Sequence, residues 1–102
     1  MPPDSSWKAL ERRVARELGG RRRGPDYGGA AGGKSDVVHD HWSPECKLLS
    51  RPSFSDCLEA AKQAGRNAEP GLEPLAFVKR KNSPDESILV IQTLKQFREW
   101  RL

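Results

Sequence analysis

The sequence predicts an α/β protein built around a small mixed sheet, with the element order helix, strand, strand, helix, strand, strand, helix. Apolar residues recur at helical spacing in three segments, and the short apolar or alternating runs between them are typical of strands. The 102 residues are enough for one hydrophobic core, so we expect residues 1–102 to form a single domain. No apolar run approaches the roughly 18 residues of a membrane-spanning helix, so we expect no membrane partner.

The N-terminus and the cysteines bear on the cellular compartment. Residues 1–4 show no basic segment followed by an apolar stretch, so no secretory signal is expected. Cys46 and Cys57 are too few for a disulfide-dense scaffold, which favours free thiols in a reducing environment. We therefore expect a cytoplasmic protein.

Residues 5–18 are predicted to form an amphipathic helix that ends at the pair Gly19-Gly20. The apolar residues that share one face are Trp7, Leu10, Val14 and Leu18. Glu11 falls inside this apolar face, and a carboxylate turned toward a core needs a cation or a metal ion as its partner. The alternative is that Glu11 lies at the edge of the face and pairs with Arg12 or Lys8.

Residues 19–34 are predicted to form a flexible, basic, Gly-rich loop, because they hold seven of the nine glycines. Up to residue 34 the chain has eight Lys and Arg against four Asp and Glu, and beyond it ten of each, so the net charge of +4 lies in this first third. Such a basic segment suits a phosphate backbone and can become ordered on a charged polymer. The alternative is a solvated helix face followed by a basic loop.

Residues 36–49 are predicted to form a hairpin. Val37–Val38 would be the first strand, residues 39–43 the turn, and residues 45–49 the second strand. Pro44 lacks a backbone N–H at the start of that second strand, which is unusual for a central strand.

The second half of the chain continues the alternation of helices and strands. A capping box at Ser53 predicts a helix over Phe54–Arg66. Residues 75–78 and 88–92 are predicted strands on either side of a polar turn. A second capping box, at Thr93, opens a C-terminal helix. The apolar stripe of that helix, which would cover the core or contact a second copy, comprises Leu94, Phe97 and Trp100.

The most informative pattern is the Glu-x-Lys of Glu45 and Lys47. Side chains alternate along a strand, so these two point to one face of the sheet and Cys46 to the other. Asp36 on the neighbouring strand would bring a second carboxylate into the same pocket. Two carboxylates on a rigid sheet suit Mg²⁺ or Mn²⁺, which bind hard oxygen ligands and lower the pKa of bound water. The alternative is an ordinary exposed strand face.

The order of these patterns resembles the PD-(D/E)xK nuclease superfamily, and within it the small Holliday-junction resolvase-like proteins of archaea and bacteriophages. The resemblance covers about residues 9–100. Seven parts occur in the order of the family. They are a first helix with a glutamate (Glu11), a basic Gly-rich loop (residues 19–34), an aspartate that opens a strand (Asp36), a Glu-x-Lys strand (residues 45–47), a helix with Gln-Ala (Gln63-Ala64), a strand after a proline (Pro74) and a last strand that leads into a helix (residues 88–100).

The resemblance implies a restriction-endonuclease-like core and a metal-dependent DNA endonuclease that acts on four-way or other branched junctions. It implies that Asp36, Glu45 and the backbone carbonyl of Cys46 bind Mg²⁺, for which Mn²⁺ can substitute. Lys47 would be the catalytic lysine. Glu11 would contribute to the site, and Gln63 would line it, although the helical pattern alone favours a solvated Gln63.

The resemblance also implies a homodimer, because two strands of a junction must be cut symmetrically. The location would be the host cytoplasm if the protein is encoded by a phage. Basic residues would contact the DNA backbone and supply affinity without sequence specificity. The candidates are Arg12, Arg13, Arg16, Arg21, Arg22, Arg23, Lys34, Arg51, Lys79, Arg80 and Lys81.

Two other functions and one other kind of metal site are compatible with the sequence. One is a nuclease for nicked or linear DNA, and another is a module of the same fold that binds DNA without cutting it. The third is a zinc site, which the spacing favours little because no Cys-x-x-Cys pair is present. Its candidate ligands are His39, His41, Cys46 and Cys57.

Overall fold

The computed structural model describes residues 6–22 and 35–101, so the predicted DNA contacts Arg23 and Lys34 lie outside the described residues. The elements in chain order are helix α1 (Trp7–Leu18), strands β1 (Arg21–Arg22), β2 (Val37–Val38) and β3 (Trp42–Leu49), helix α2 (Phe54–Arg66), strand β4 (Glu73–Arg80), a 3₁₀ turn (Asp85–Ser87), strand β5 (Leu89–Ile91) and helix α3 (Leu94–Arg101). The predicted α/β class with a small mixed sheet is confirmed. Neither described segment contains a helix long and apolar enough to cross a lipid bilayer.

The central sheet has the strand order β3-β4-β5. β3 runs parallel to β4 over its whole length, with Glu45 opposite Ala76 and Cys46 opposite Phe77. β5 runs antiparallel to β4, with Val90 opposite Phe77. Among the described residues, β3 and β5 are therefore the two edges of this sheet.

The predicted hairpin between residues 37–38 and 45–49 is wrong. β2 pairs antiparallel with β1, which is formed by the first residues of the predicted loop, and β3 takes β4 as its ladder partner. Gly20 permits the β1–β2 approach, because a Cβ at that position would lie 2.4 Å from the carbonyl oxygen of Val38. The predicted loop 19–34 thus begins with a short strand instead of an irregular segment.

The sheet separates two apolar clusters. On one face, α1 packs Leu10 and Val14 against Cys46 and Phe77. On the other face, α2 packs its small residues against β4. The residues of that second cluster are Ala60, Ala64, Ala76 and Val78. Because alanines form the contact, α2 lies close to the sheet.

The helix ends follow the predicted capping. The Ser6 side chain accepts a hydrogen bond from the Ala9 N–H, and Gly19 ends α1 with φ of 75°. Both capping boxes are present, at Ser53 and at Thr93. The apolar face of α1 differs from the prediction, since it begins at Leu10 and leaves Trp7 53% exposed.

The C-terminal helix α3 buries none of its residues, so its predicted apolar stripe does not cover the core. Polar contacts hold it instead. The Gln96 side chain donates to the Ala61 carbonyl at 2.8 Å, and Arg101 forms an ion pair with Glu73.

Glu73 is the buried partner at the centre of these contacts, with 2% of its surface exposed. It accepts hydrogen bonds from Arg101 and from the Gln92 amide at 2.6 Å, and it lies 3.0 Å from His41 Nε2. Burial by itself would raise the pKa of Glu73, but these hydrogen bonds outweigh it and lower the pKa. The network joins the start of β4, the end of β5 and the last turn of α3.

We expect Arg101→Ala to lower the free energy of unfolding by about 2 kcal/mol, because it leaves the Glu73 carboxylate buried without its main cation. Hydrogen exchange should show α3 amides losing protection first. Arg98→Ala is the matched control, since Arg98 lies on the same helix and makes no ion pair with the described residues. Equal effects of the two variants in urea unfolding would contradict this account of how α3 is held.

Candidate active site

β3 places Glu45 and Lys47 on one face of the sheet and Cys46 on the other. Cys46 belongs to the cluster under α1. Glu45 lies opposite Ala76, on the α2 side, and is 5% exposed, while Lys47 is half-buried. The face assignment predicted from alternation is confirmed. The burial of Glu45 distinguishes it from a carboxylate on an ordinary solvated strand.

Asp36 is held against the free edge of β3 by two hydrogen bonds. Its backbone N–H donates to the Pro44 carbonyl at 3.0 Å, and its carboxylate accepts from the Cys46 N–H at 2.7 Å. A backbone donor at such a short distance fixes the carboxylate in one orientation. The predicted approach of Asp36 to the Glu-x-Lys strand is therefore present, although no β ladder joins the two segments.

The same contacts explain why β3 tolerates Pro44. In an extended strand, the N–H and C=O of one residue point to the same side. The Pro44 carbonyl points to the free edge, toward Asp36, so the missing N–H of Pro44 would also have pointed there. The ladder with β4 loses no donor, and the proline fits at an edge strand.

Glu45 carries the largest electrostatic perturbation of the site. Burial, and after it the neighbouring Asp36 carboxyl group, raise the pKa of Glu45 to about 7. The Asn67 amide at 2.9 Å and the charge of Lys47 act in the opposite direction. A buried carboxyl group in this setting keeps its proton up to near neutral pH or binds a cation.

Glu11 joins the group from α1 with an exposed fraction of 7%. Burial raises the pKa of Glu11, and the Asp36 charge adds to that effect, so the two carboxylates are near each other. The partner of Glu11 is Arg22 on β1, whose Nε donates to Oε1 at 2.8 Å. The predicted inward carboxylate with a cationic partner is confirmed, and the pairing with Lys8 or Arg12 is replaced by the pairing with Arg22.

The side chains of Gln63 and Lys47 are not fixed by hydrogen bonds or ion pairs to described residues. Gln63 is half-buried on α2 beside Ala64, and its side chain has no hydrogen-bond partner among the described residues. Lys47 likewise makes no ion pair within that part of the chain, but its charge acts on Glu45, Cys46 and Glu59. Both side chains are available to a ligand.

Cys46 contributes its backbone rather than its thiol. Burial and the surrounding carboxylates raise the pKa of the thiol, so it stays protonated and is a poor nucleophile. The Cys46 N–H points to Asp36, and the carbonyl of the same residue points to the same edge of β3. A carbonyl oxygen is thus directed toward the carboxylate pair.

The donor set fits a hard divalent cation. Within residues 6–22 and 35–101, no three side chains of His, Cys, Asp or Glu are arranged to hold a metal ion. Mg²⁺ needs only one or two carboxylates and keeps several waters, so Asp36, Glu45 and the Cys46 carbonyl suffice.

The lack of three grouped ligands among the described residues contradicts the zinc alternative. His41 instead contacts Glu73, and His39 accepts hydrogen bonds from the backbone N–H groups of the turn.

The predicted DNA contacts lie in two regions. Arg12, Arg16 and Arg21 are exposed along α1 and β1. Arg51, Arg80 and Lys81 are exposed where β3 and β4 end.

Arg13 and Lys79 differ from the other predicted contacts because acidic partners already balance their charges. Lys79 lies 2.6 Å from Asp85, and Arg13 lies 2.7 Å from Glu17 and 3.4 Å from Asp85. These two cations join α1 to the connection between β4 and β5.

Asn67 is a site residue that the sequence analysis missed. It ends α2, and its side-chain amide donates to Glu45 Oε1. A single asparagine at a helix end is typical of a helix cap, so the sequence carries no separate signal for this contact.

Comparison of the chain with models of protein families, with curated proteins and with solved structures finds no match.

We expect Glu45→Gln to stabilise the protein at pH 8 by about 2 kcal/mol in EDTA. Glu45 has a pKa of about 7 in the folded chain against an ordinary value of 4.5, so the unfolded chain binds fewer protons between these values. The stability contributed by the protonated carboxyl is therefore complete below about pH 4.5 and is lost as the pH rises through about 7. Glutamine stays neutral throughout.

Thermal unfolding from pH 5 to pH 8 measures this effect, and the difference between Glu45→Gln and the wild type should disappear toward pH 5. Glu59→Gln is the control, because Glu59 is exposed and its ion pair with Arg66 lowers its pKa. A difference that does not change with pH would mean that Glu45 titrates like a solvated carboxyl group.

Proposed function

We propose that the protein is a Mg²⁺-dependent endodeoxyribonuclease of the PD-(D/E)xK type that cuts branched DNA, four-way junctions above all. One observation carries the proposal: the half-buried Asp36 and the buried Glu45 lie next to each other at the free edge of β3, with Lys47 on the same face as Glu45. Clustered carboxylates destabilise a fold at neutral pH, so a site that concentrates them is typical of cation binding or acid-base chemistry.

Asp36, Glu45 and the Cys46 carbonyl would hold the metal ion. When bound, Mg²⁺ lowers the pKa of water and stabilises negative charge on a phosphoryl group. The protein fixes the ligands in advance, since the Cys46 N–H orients Asp36 and the Asn67 amide orients Glu45. A cation would displace the proton of Glu45, whose pKa is about 7, so metal affinity should rise as the pH increases through neutrality.

Lys47 and Arg22 supply the positive charges that face a phosphodiester. Lys47 has no ion-pair partner in the described part of the chain, so its ammonium group can donate to a non-bridging phosphate oxygen and stabilise charge in the transition state. Arg22 uses its Nε for Glu11, and its other guanidinium nitrogens make no hydrogen bond to described residues. The charge of Lys47 acts on Glu45, and Arg22 contacts Glu11.

The test is cleavage of a labelled four-way junction and of a linear duplex with the same sequence, each in Mg²⁺ and in EDTA. We expect paired, symmetric cuts in the junction only, abolished by EDTA. Glu45→Ala should reduce the rate by about 100-fold or more, because it removes one of two carboxylate ligands. Glu99→Ala is the matched control, since Glu99 is an exposed carboxylate on α3, 3.9 Å from Lys95.

The other outcomes of this experiment separate the remaining functions. Equal cutting of the junction and the duplex would keep the nuclease and remove the preference for branches. Binding that does not depend on metal, with no cutting of either substrate, would overturn the nuclease and leave a DNA-binding module. If Glu99→Ala cleaves the junction as slowly as Glu45→Ala, the assignment of Glu45 to the active site is wrong.

Symmetric cutting requires two copies, and we propose that they meet through the β5–α3 surface. This surface is defined by its exposed apolar side chains, Leu89, Val90, Leu94 and Phe97. β5 is an edge strand of Leu, Val and Ile, with none of the charges or prolines that keep edges from pairing. Antiparallel pairing of two copies about Val90 would set apolar residues against each other and close a two-fold contact.

Val90→Lys should convert the dimer to a monomer, because it places a charge at the centre of this contact. The measurement is the mass in solution by light scattering, with circular dichroism to verify folding. Val90 is 60% exposed, so the monomer should remain folded. Phe54→Lys adds the same charge on α2 and should leave the mass unchanged. A wild-type protein that is monomeric at all concentrations would contradict the proposed dimer.

A further inference from the structure

We infer that Trp7 is a stacking platform for an unpaired nucleobase, placed so that the adjoining phosphate lies over Arg22 and toward the Asp36–Glu45 pair. This inference rests on the proposed nuclease and names a feature of its substrate. A DNA in which bases are unpaired next to the cut phosphate can use the platform, whereas an intact duplex cannot because its bases are stacked on one another.

Trp7 is free to act on a ligand because the core does not use it. It is the first residue of α1 and is 53% exposed, and the buried residues of α1 begin three positions later at Leu10. An indole left in water forgoes the favourable burial that a tryptophan usually obtains. The flat face of a base restores that burial without a sequence requirement.

Two cations flank the Trp7 ring. The Lys8 ammonium nitrogen and the Arg22 guanidinium carbon each lie 5.6 Å from the ring centroid. Residues 6–22 hold six Lys and Arg against two Glu, so the surface around the ring is strongly positive. A half-exposed aromatic ring with cations near it matches a nucleotide, because the base stacks on the ring while the phosphate meets the charge.

Arg22 connects the ring to the candidate active site. Its guanidinium lies over Trp7, and its Nε donates to Glu11 at 2.8 Å. Glu11 in turn lies close enough to Asp36 for the two charges to interact. Arg22 thus contacts both the ring and Glu11, whose charge interacts with that of Asp36, and this order matches base, phosphate and reaction centre of a single nucleotide.

Phe54 shows what an exposed aromatic residue looks like without these features. It also begins a helix directly after a capping serine, and it is 83% exposed. No cation among the described residues lies over its ring, and no contact joins it to the carboxylates. Exposure at the start of a helix is therefore shared by both residues, and the cations and the contacts through Arg22 are specific to Trp7.

The experiment compares Trp7→Ala, Trp7→Phe and Phe54→Ala by fluorescence anisotropy in EDTA, with a labelled oligodeoxythymidylate and a labelled blunt duplex as probes. We expect Trp7→Ala to weaken binding of the single strand by about 5- to 150-fold and to change duplex binding less than about twofold. Trp7→Phe should retain most of the affinity for the single strand, and Phe54→Ala should bind both probes like the wild type. Thermal unfolding verifies that each variant is folded.

Several results would overturn the stacking platform. They are an equal loss of affinity for both probes in Trp7→Ala, an unchanged affinity of Trp7→Ala for the single strand, the same loss of affinity in Phe54→Ala, and a wild-type protein that does not bind the single strand.

Cleavage assays distinguish failure of the stacking platform from failure of the nuclease. If the wild type cuts no DNA but Trp7→Ala selectively loses single-strand binding, the nuclease fails and the platform stands. If the wild type cuts junctions and Trp7→Ala binds normally, the platform fails and the nuclease stands.

Discussion

The hydrogen bond from the Cys46 N–H to the Asp36 carboxylate determines the rest of the candidate site. It lies at the free edge of β3, where the carboxylate accepts a backbone N–H that a further strand would otherwise bind, next to the backbone hydrogen bond from Asp36 to Pro44. The Cys46 N–H holds the Asp36 carboxylate at 2.7 Å, next to the side chain of Glu45 on β3. Glu45 therefore has a second carboxyl group fixed beside it. Proximity and burial together then favour the protonated form of Glu45, or a cation in place of the proton.

The fold limits the cost of concentrating these charges. Apolar packing lies on both faces of the sheet, with the α1 cluster on the Cys46 side and the alanine face of α2 against β4, while the carboxylates lie along the edge. Each of these three acids has a hydrogen-bond partner: Asn67 for Glu45, Cys46 for the half-buried Asp36 and Arg22 for Glu11. No buried side-chain N or O atom of the described residues lacks a hydrogen bond.

Patterns with a fixed period were predictable from the sequence, and contacts between single residues were not. Strand alternation placed Glu45 and Cys46 on opposite faces, and the capping box placed the start of α2. β1 has two residues inside a Gly-rich segment, which is too short for any period, so its pairing with β2 was missed and a hairpin was predicted instead. The helical periodicity places Trp7 on the same face of α1 as Leu10, but the buried residues of that face begin only at Leu10. Spacing alone could not show this difference.

Arg22 explains why Glu11 adds charge to the site without completing a set of three acidic ligands. The guanidinium holds one Glu11 oxygen at 2.8 Å, and a carboxylate bound in this way is a weaker ligand for a cation because its charge is already balanced. In the proposed metal site the remaining acidic ligands are then Asp36 and Glu45, and residues 6–22 and 35–101 contain no cluster of three candidate ligands. Arg22 therefore balances the charge of the buried Glu11, and in the proposed nuclease the same guanidinium would meet a phosphate.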